Sequence, residues 1–334
     1  MNLIICRWLL IMFATEATLA NNNSRTRSFA WYNREYNFAN KTQQQHYNYY
    51  ESARNLRAAP NIFTTKDMFH HDSSHSDVQS FSYLEEHEFG PSNWGVLNAN
   101  CNGLYQSPVN LALNRSRIIY KKRPLQLMGL ENQPKSLTVL NEGGSAAYFL
   151  EFRKENRPRL RGGPLPVDYL FYQFHYHVGS EHSLEGKLSA AEVHLVFYNS
   201  LYETFEDARD QIEGLAVIAL IYDVLAKDRI QTLNKWTRFL DSVVDEGREY
   251  RAPAARVFTL QDVIPNTKWP YFSYEGSLTT PPCTETVRWL VATERMPLTK
   301  SELKKMRQLK GRGAEWVKNS RPTQALNYRR VLLY

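Results

Sequence analysis

The sequence has few cysteines and no long run of charge of one sign. Only three of its 334 residues are cysteine, and one of them, Cys6, lies within the first 20 residues. The 41 basic residues are spread among 34 acidic ones and leave a net charge of +7. Such a mixture is typical of a solvated, mildly basic surface, so it argues against a nucleic-acid partner.

Long apolar runs are also lacking, apart from a short one near the N-terminus. Residues 8–14 are apolar and residues 18–20 are small or aliphatic, so residues 1–20 are predicted to be a secretory signal peptide. An anchor helix is the alternative, but Glu16 leaves the run short of the ~20 residues that a membrane span needs. The C-terminal residues offer no hydrophobic tail for a lipid anchor. We therefore expect a secreted, extracellular protein with no membrane anchor.

Export would change what the cysteines and three N-x-S/T sequons can do. Loss of residues 1–20 would leave Cys101 and Cys283, which would pair readily in an oxidising compartment or remain as two buried thiols. The sequons begin at Asn22, Asn40 and Asn114, which become candidate glycosylation sites.

Glycine is absent from residues 21–78, which are rich in Asn, Gln, Tyr, Ser and Arg. No apolar period is sustained there, so we predict a disordered polar extension. In residues 79–334, short strand-like runs such as 136–140 and 148–152 recur between Gly, Pro and Asn. Apolar residues recur at helical spacing over 230–243, which predicts a helix there. Thr299 and Glu302 fit a capping box at the start of a second helix. This pattern predicts one mostly β (α+β) domain over 79–334.

Two short segments place histidines where they could hold a metal ion. In a strand, Gln173, His175 and His177 share one face, and the two histidines lie about 6.6 Å apart along the strand. Glu192 and His194 likewise share a face of a second strand. If the two strands are antiparallel neighbours, three imidazoles converge, and imidazole is a common metal ligand. The alternative is a solvent-exposed sheet face with scattered polar residues.

A further motif, the string Ser-Leu-Thr-Thr-Pro-Pro at 277–282, bears on the function of these histidines. Together with 173–182, 190–196, 106–109 and 162–165, it resembles the motifs of α-class carbonic anhydrases, in the same order. The resemblance extends over roughly residues 80–330. It implies a large, central, twisted and mainly antiparallel β-sheet with a few peripheral helices and zinc at the base of a conical cleft. Three histidines with one open position form a catalytic zinc site, for which carbonic anhydrase is the standard example.

The resemblance also implies an activity and a role for each matching residue. A zinc lyase of this family reversibly hydrates carbon dioxide to bicarbonate and a proton through zinc-bound hydroxide. His175, His177 and His194 would hold Zn²⁺, and Gln173 and Glu192 would orient them. We expect the enzyme to act as a monomer on carbon dioxide and bicarbonate.

Further residues match the catalytic and pocket positions of the family. Thr279 would accept a hydrogen bond from the hydroxide and pass its own proton to Glu181, while Cys101 and Cys283 would form a disulfide. His182 and Tyr274 match buried structural residues. The residues that match the substrate pocket are Val196, Val217, Leu278, Thr280, Val287 and Trp289.

Two positions depart from the family pattern. Gly144 stands where fast members carry a proton-shuttling histidine, so we expect slower proton transfer that depends on external buffer. Val178 replaces a tryptophan. A carbonic-anhydrase-like secreted binding or matrix protein with low activity is the alternative function, but it predicts a broken ligand set, and this set is complete. A zinc hydrolase of another fold predicts an H-E-x-x-H helix, which the sequence does not contain.

Overall fold

The computed structural model describes residues 81–120, 123–226, 234–264, 267–311 and 319–334. The predicted signal peptide (1–20), the predicted polar extension (21–78) and the sequons at Asn22 and Asn40 lie outside the described residues. Within the described ranges, no helix combines the length and the apolar character needed to cross a membrane.

Most regular structure in the described residues is β-strand, as the recurring short apolar runs predict. The strands are β1 (Asn110–Leu111), β2 (Ser116–Ile118), β3 (Gln126–Met128), β4 (Ser136–Asn141), β5 (Ala146–Glu151), β6 (Arg159–Arg161), β7 (Tyr169–Val178), β8 (Ser183–Leu184), β9 (Ala191–Asn199), β10 (Leu215–Val224), β11 (Glu249–Arg251), β12 (Tyr271–Gly276), β13 (Val287–Leu298) and β14 (Val331–Leu333).

Twelve of these strands form one large sheet. Its main path runs β11-β4-β5-β7-β9-β10-β13-β12-β14-β2, and β3 and β6 join it beside β7. Only β10 with β13 and β14 with β2 pair in parallel within this sheet, and the other pairs are antiparallel. The prediction of a large, mainly antiparallel sheet is confirmed. Strands β1 and β8 form a separate small parallel pair.

Both faces of the central strands are covered, which explains why β9 is buried along its whole length. Successive side chains of a strand point to opposite faces. On one face, Phe174 and Tyr176 join a core that includes Trp236. On the other, Val196 and Trp289 belong to a second core. The histidines of β7 alternate with Phe174 and Tyr176, so they lie on the face of the second core.

Helices in the described residues are short. The α-helices are α1 (Trp94–Leu97), α2 (Phe205–Arg209) and α3 (Lys300–Met306). The 3₁₀ helices are Pro91–Asn93, Ala99–Asn102, Leu113–Arg115, Lys154–Asn156, Lys235–Ser242, Ala254–Arg256 and Leu260–Asp262.

Both predicted helices have a counterpart in the structure. Helix α3 begins at Lys300, and Thr299 is its N-cap in the predicted capping box, in which the Thr299 hydroxyl and the Glu302 carboxylate each accept a hydrogen bond from the other residue's main-chain N–H. The predicted helix over 230–243 is a 3₁₀ helix at Lys235–Ser242, and it buries Trp236 and Phe239. Ile230 and Leu233, the first residues of its apolar stripe, lie outside the described residues.

The structure contains a disulfide between Cys101 and Cys283, whose Cα atoms are 4.9 Å apart. It joins the 3₁₀ helix Ala99–Asn102 to the loop between β12 and β13, across 182 positions of sequence. This loop carries Thr279 and Thr280, so the disulfide restrains a segment of the predicted site. Asn114 is exposed in the 3₁₀ helix Leu113–Arg115.

Candidate metal centre

The pairing of β7 with β9 brings the three histidines together. The strands are antiparallel neighbours, and His175 lies directly opposite His194, while His177 lies opposite Glu192. The ring centroid of His175 is 5.2 Å from those of His177 and of His194, and the last two rings are 4.6 Å apart. One nitrogen from each of the three rings lies within 4.8 Å of the others.

One nitrogen of each imidazole contacts an oxygen acceptor. Gln173 Oε1 lies 3.1 Å from His175 Nδ1, the main-chain oxygen of Asn319 contacts His177 Nδ1, and Glu192 Oε1 lies 2.6 Å from His194 Nε2. Because these oxygens accept, each contacted nitrogen carries the proton. His175 Nε2, His177 Nε2 and His194 Nδ1 are therefore left with lone pairs for a metal ion.

The surroundings favour neutral rings. Burial lowers the pKa of His175 well below its usual value, and the neighbouring His194 and His177 would lower it further if they were charged. Burial also lowers the pKa of His177, although the Glu181 carboxylate opposes this effect. At neutral pH these imidazoles are therefore uncharged, which is the state that binds a metal ion. Three imidazole nitrogen donors fit a zinc site with one open position.

Glu192 is the carboxylate behind His194. Its Oε2 accepts hydrogen bonds from the main-chain N–H groups of Glu181 (2.9 Å) and His182 (2.8 Å). Its Oε1 contacts His182 Nδ1 at 2.7 Å in addition to His194. Burial alone would raise the pKa of Glu192, but the interactions with His182 and His194 outweigh it and lower the pKa. The carboxylate therefore stays ionised and can accept all four hydrogen bonds.

Glu181 is fully buried, and its two carboxylate oxygens differ in their contacts. Its Oε1 accepts a hydrogen bond from the main-chain N–H of Arg321 at 2.9 Å. Its Oε2 has no hydrogen-bond partner among the described residues, and it lies 3.5 Å from His177 Nε2 and 3.9 Å from His194 Nε2. A buried carboxylate oxygen without a donor is costly. This oxygen is therefore suited to accept a proton or a hydrogen bond beside the three histidines.

Thr279 lies buried in the loop between β12 and β13. Glu181 Oε2 accepts no hydrogen bond among the described residues, so the hydrogen bond that the resemblance implies from Thr279 is not made to this oxygen. Thr280, next in the loop, is half-buried, and its carbonyl accepts a hydrogen bond from the N–H of Cys283 at 2.8 Å.

An apolar surface adjoins the three histidines on the same face of the sheet. In register, Val217 of β10 lies between Val196 of β9 and Trp289 of β13. The Trp289 ring is 4.9 Å from the His194 ring, centroid to centroid. Four of the six predicted pocket residues belong to one buried apolar cluster, and Leu278 packs against it. These four are Val196, Val217, Val287 and Trp289.

Comparisons with known proteins identify the family of this chain. The sequence model of the eukaryotic-type carbonic anhydrase family matches residues 89–334. The chain belongs to this family.

Individual relatives give the same result. Carbonic anhydrase 3 of Homo sapiens is 34% identical over 257 residues, which cover 72% of this chain and 94% of the relative. Carbonic anhydrase 15 of Mus musculus is 30% identical and covers 72% of this chain and 79% of the relative. Carbonic anhydrase 6 of Bos taurus is 31% identical, and the match covers 71% of this chain and 75% of the relative. The predicted membership of the α-class carbonic anhydrases, and with it the enzyme class, is confirmed.

The candidate metal centre of this carbonic anhydrase family member includes a residue that sequence reasoning missed. Asn319 holds His177 through its main-chain oxygen, and its side chain accepts from the N–H of Val178 at 2.7 Å and donates to the carbonyl of Tyr176 at 3.0 Å. A main-chain acceptor can be supplied by any residue type, so no sequence signal could have found it.

Sequence reasoning also missed the end of a hydrogen-bonded chain behind the centre. His182 Nε2 lies 2.7 Å from the hydroxyl of Tyr274, which donates to Ser107 Oγ at 3.0 Å. The motif at 106–109 contains Ser107 and was the available signal. All three side chains are buried.

Gly144, which stands where fast family members carry a proton-shuttling histidine, lies in the turn between β4 and β5. A Cβ atom added to Gly144 would be 3.4 Å from Cε2 of Tyr83, which is ordinary van der Waals contact. The turn therefore has room for a side chain, although the sequence places glycine there.

Proposed function

We propose that this carbonic anhydrase family member binds one Zn²⁺ through His175, His177 and His194 and reversibly hydrates carbon dioxide to bicarbonate and a proton. The observation that carries the proposal is the arrangement of the three rings. One nitrogen from each ring lies within 4.8 Å of the others, and one nitrogen of each ring contacts an oxygen acceptor. Solvated histidines on a sheet face would have no such set of acceptors.

Each side chain around the ligands has a task that follows from its contacts. In carbonic anhydrases, the standard example of this chemistry, zinc lowers the pKa of water to about 7 and so supplies hydroxide at neutral pH. Gln173, Asn319 and Glu192 fix the tautomers of the rings. Glu181 Oε2 is available to accept the proton of the Thr279 hydroxyl. The Thr279 hydroxyl oxygen would then remain free to accept a hydrogen bond from a group bound beside the three histidines.

The substrate is apolar and binds beside the ligands without hydrogen bonds of its own. The cluster around Val196, Val217 and Trp289 offers carbon dioxide an apolar surface next to the His194 ring. Val287 and Leu278 extend this surface. Thr280 and Gln173 would line the opposite, polar side, where the charged product can be solvated.

Proton removal is the step in which this enzyme would differ from fast relatives. Gly144 has no group that can carry a proton, so external buffer would take most of the protons released. We infer a hydration rate that rises with buffer concentration at fixed pH.

We further propose that the enzyme is secreted and acts as a monomer. The predicted signal peptide (1–20) and the Cys101–Cys283 disulfide support export, because disulfides persist in oxidising compartments. Asn22, Asn40 and the exposed Asn114 would be glycan acceptors there. Residues 21–78 would be a polar extension of the domain 79–334.

The experiment combines zinc analysis with stopped-flow carbon dioxide hydration on the purified chain. We expect one zinc per chain and a hydration activity that chelation abolishes and added zinc restores. Stoichiometric zinc without hydration would instead favour a binding or matrix protein on the same fold.

A further inference from the structure

A groove lined by two arginines lies on the face of β3 and β6 that points away from the core. The two strands are antiparallel, and Gln126 lies directly opposite Arg161. Paired residues of neighbouring strands project to the same face, so these two side chains lie side by side. The residue that alternates with Arg161, Leu160, is fully buried in the core, whereas Gln126 and Arg161 are exposed. The pair is therefore open to a ligand from solvent.

The loop at 162–168 forms the other wall of the groove and is attached to the residues before β3. The N–H of Gly163 donates to the carbonyl of Arg123 at 3.0 Å, and the Arg123 guanidinium donates to a main-chain carbonyl of the same loop. Gly162 has a φ of +80°, and a Cβ atom there would lie 2.0 Å from the carbonyl oxygen of Pro124. Only glycine permits this conformation and this close approach. The two glycines therefore hold the walls of the groove together.

The groove has the size of a small-molecule site and lies apart from the metal centre. Its volume is about 300 Å³, at the lower end of the ~300–1,000 Å³ that is usual for ligand pockets. Its charged side chains are Arg123, Arg161 and Asp168. Asp168 directly precedes β7, so His175 lies about 23 Å further along that strand, at ~3.3 Å per residue.

Both guanidinium groups keep donors for a ligand. A guanidinium has five N–H donors, and among the described residues Arg123 directs only Nη2 at a protein acceptor. Arg161 Nε lies 3.6 Å from Asp168 Oδ1, which is too far for a hydrogen bond, and the Arg161 side chain is 51% exposed. The groove therefore offers two cationic donor groups with one carboxylate acceptor beside them.

This combination of groups fits an anionic sugar. Arginine binds oxyanions such as sulfate and carboxylate through bidentate, charge-assisted hydrogen bonds. Asp168 can accept from a neighbouring hydroxyl group, Gln126 can donate to another, and the apolar side chains of Pro166 and Val167 can contact the C–H groups of the ring.

A nucleic acid fits the groove less well. None of the described residues that line it is aromatic, so a nucleobase would find no surface on which to stack. The Asp168 carboxylate would also repel a continuous row of phosphates. A sugar chain needs no stacking partner, and its hydroxyl groups can use the carboxylate.

We propose that this groove binds an acidic polysaccharide through sugars that carry a sulfate or carboxylate group. The anionic group pairs with Arg161 and Arg123, and hydroxyl groups hydrogen-bond to Asp168 and Gln126. Binding is non-covalent and does not depend on a loaded metal centre. The net charge of +7 adds a long-range attraction for such a chain. The groove would attach an exported carbonic anhydrase to an extracellular polysaccharide.

The test is calorimetric titration of the full-length chain with a sulfated heparin tetrasaccharide at physiological ionic strength. We expect saturable binding at one site per chain. Arg161→Gln and Arg123→Gln should each weaken this binding by about 10-fold or more, because each removes charge-assisted hydrogen bonds. Arg307→Gln, at an exposed arginine outside the groove, removes the same charge and should bind as the wild type does.

Two further ligands identify the group that is recognised. Cellotetraose has hydroxyl groups but no charge, so it should bind about 10-fold more weakly or less. A heparin tetrasaccharide without its sulfate groups keeps its carboxylates. Retained affinity for this ligand would assign the groove to carboxylate-bearing sugars, and lost affinity would assign it to sulfated ones.

Two results would overturn the proposal. One is the absence of saturable binding of both charged tetrasaccharides. The other is binding that Arg161→Gln and Arg123→Gln leave unchanged, which would place the polysaccharide elsewhere on the basic surface. The Arg161 guanidinium makes no hydrogen bond among the described residues, so Arg161→Gln should unfold at the wild-type temperature and keep the wild-type hydration rate. Failure of this proposal therefore leaves the proposed function standing.

Discussion

Glu192 Oε1 accepts a hydrogen bond from His194 Nε2 at 2.6 Å. This contact fixes the tautomer of His194, so that Nδ1 faces His175 and His177. The same carboxylate holds His182 and two main-chain N–H groups, so the orientation of His194 is tied to the segment that carries Glu181.

Replacing the carboxylate with an amide should therefore weaken the metal site. In Glu192→Gln, one oxygen becomes an NH₂ group that faces donors, and the negative charge behind His194 is lost. We expect zinc affinity to fall by about 10- to 100-fold, as is typical when such supporting contacts are removed. Competition with a chromophoric chelator measures this affinity. Glu155→Gln, at an exposed residue, is the control, and an unchanged affinity in Glu192→Gln would contradict the assigned role.

Replacing Thr279 should lower the rate of hydration and leave zinc binding unchanged. Thr279→Val keeps the shape of the side chain but removes the hydroxyl that would hydrogen-bond near Glu181. We expect kcat/KM for hydration to fall on the order of 100-fold, the usual cost of losing one preorganised polar group. Zinc content should stay at one per chain. Thr323→Val, at an exposed threonine, should have no effect. Full activity in Thr279→Val would remove Thr279 from the mechanism.

The Cys101–Cys283 disulfide should stabilise the fold and the site loop together. Changing both cysteines to serine should lower the free energy of unfolding by about 2–5 kcal/mol. Denaturant unfolding with and without reductant measures this difference. Hydration should also decline, because the disulfide attaches the loop that carries Thr279 to the 3₁₀ helix Ala99–Asn102. If reductant left the unfolding midpoint unchanged, the disulfide would contribute nothing to stability.

A histidine at position 144 should make proton transfer less dependent on buffer. A Cβ atom at this position would lie 3.4 Å from Cε2 of Tyr83, so the turn can accept a side chain. We expect Gly144→His to raise kcat at low buffer by about 10-fold or more. Gly144→Ala adds the Cβ without the imidazole and is the matched control. A wild-type rate that does not change with buffer concentration would show that Gly144 imposes no limit.

Features of the fold and site that depend on neighbouring residues could be predicted from the sequence. The alternation of His175 and His177 with Phe174 and Tyr176 places both histidines on one face of any strand. The capping box at Thr299 likewise depends on neighbours three residues apart. These features depend on backbone geometry, which the local sequence specifies.

The remaining parts depend on contacts between distant segments. Asn319 reaches His177 from 142 positions away and through a main-chain oxygen. The parallel pairing of β10 with β13 has no sequence signature in either strand.

The central claim is that three histidines form one zinc site that carries out hydration. Its most direct test is zinc content and carbon dioxide hydration measured together on the wild type, on His194→Ala and on His87→Ala. His87 is exposed, so its variant controls for loss of a histidine elsewhere. We expect one zinc per chain and full activity in the wild type and in His87→Ala, and loss of both in His194→Ala. A His194→Ala protein that kept stoichiometric zinc and the wild-type hydration rate would contradict the claim.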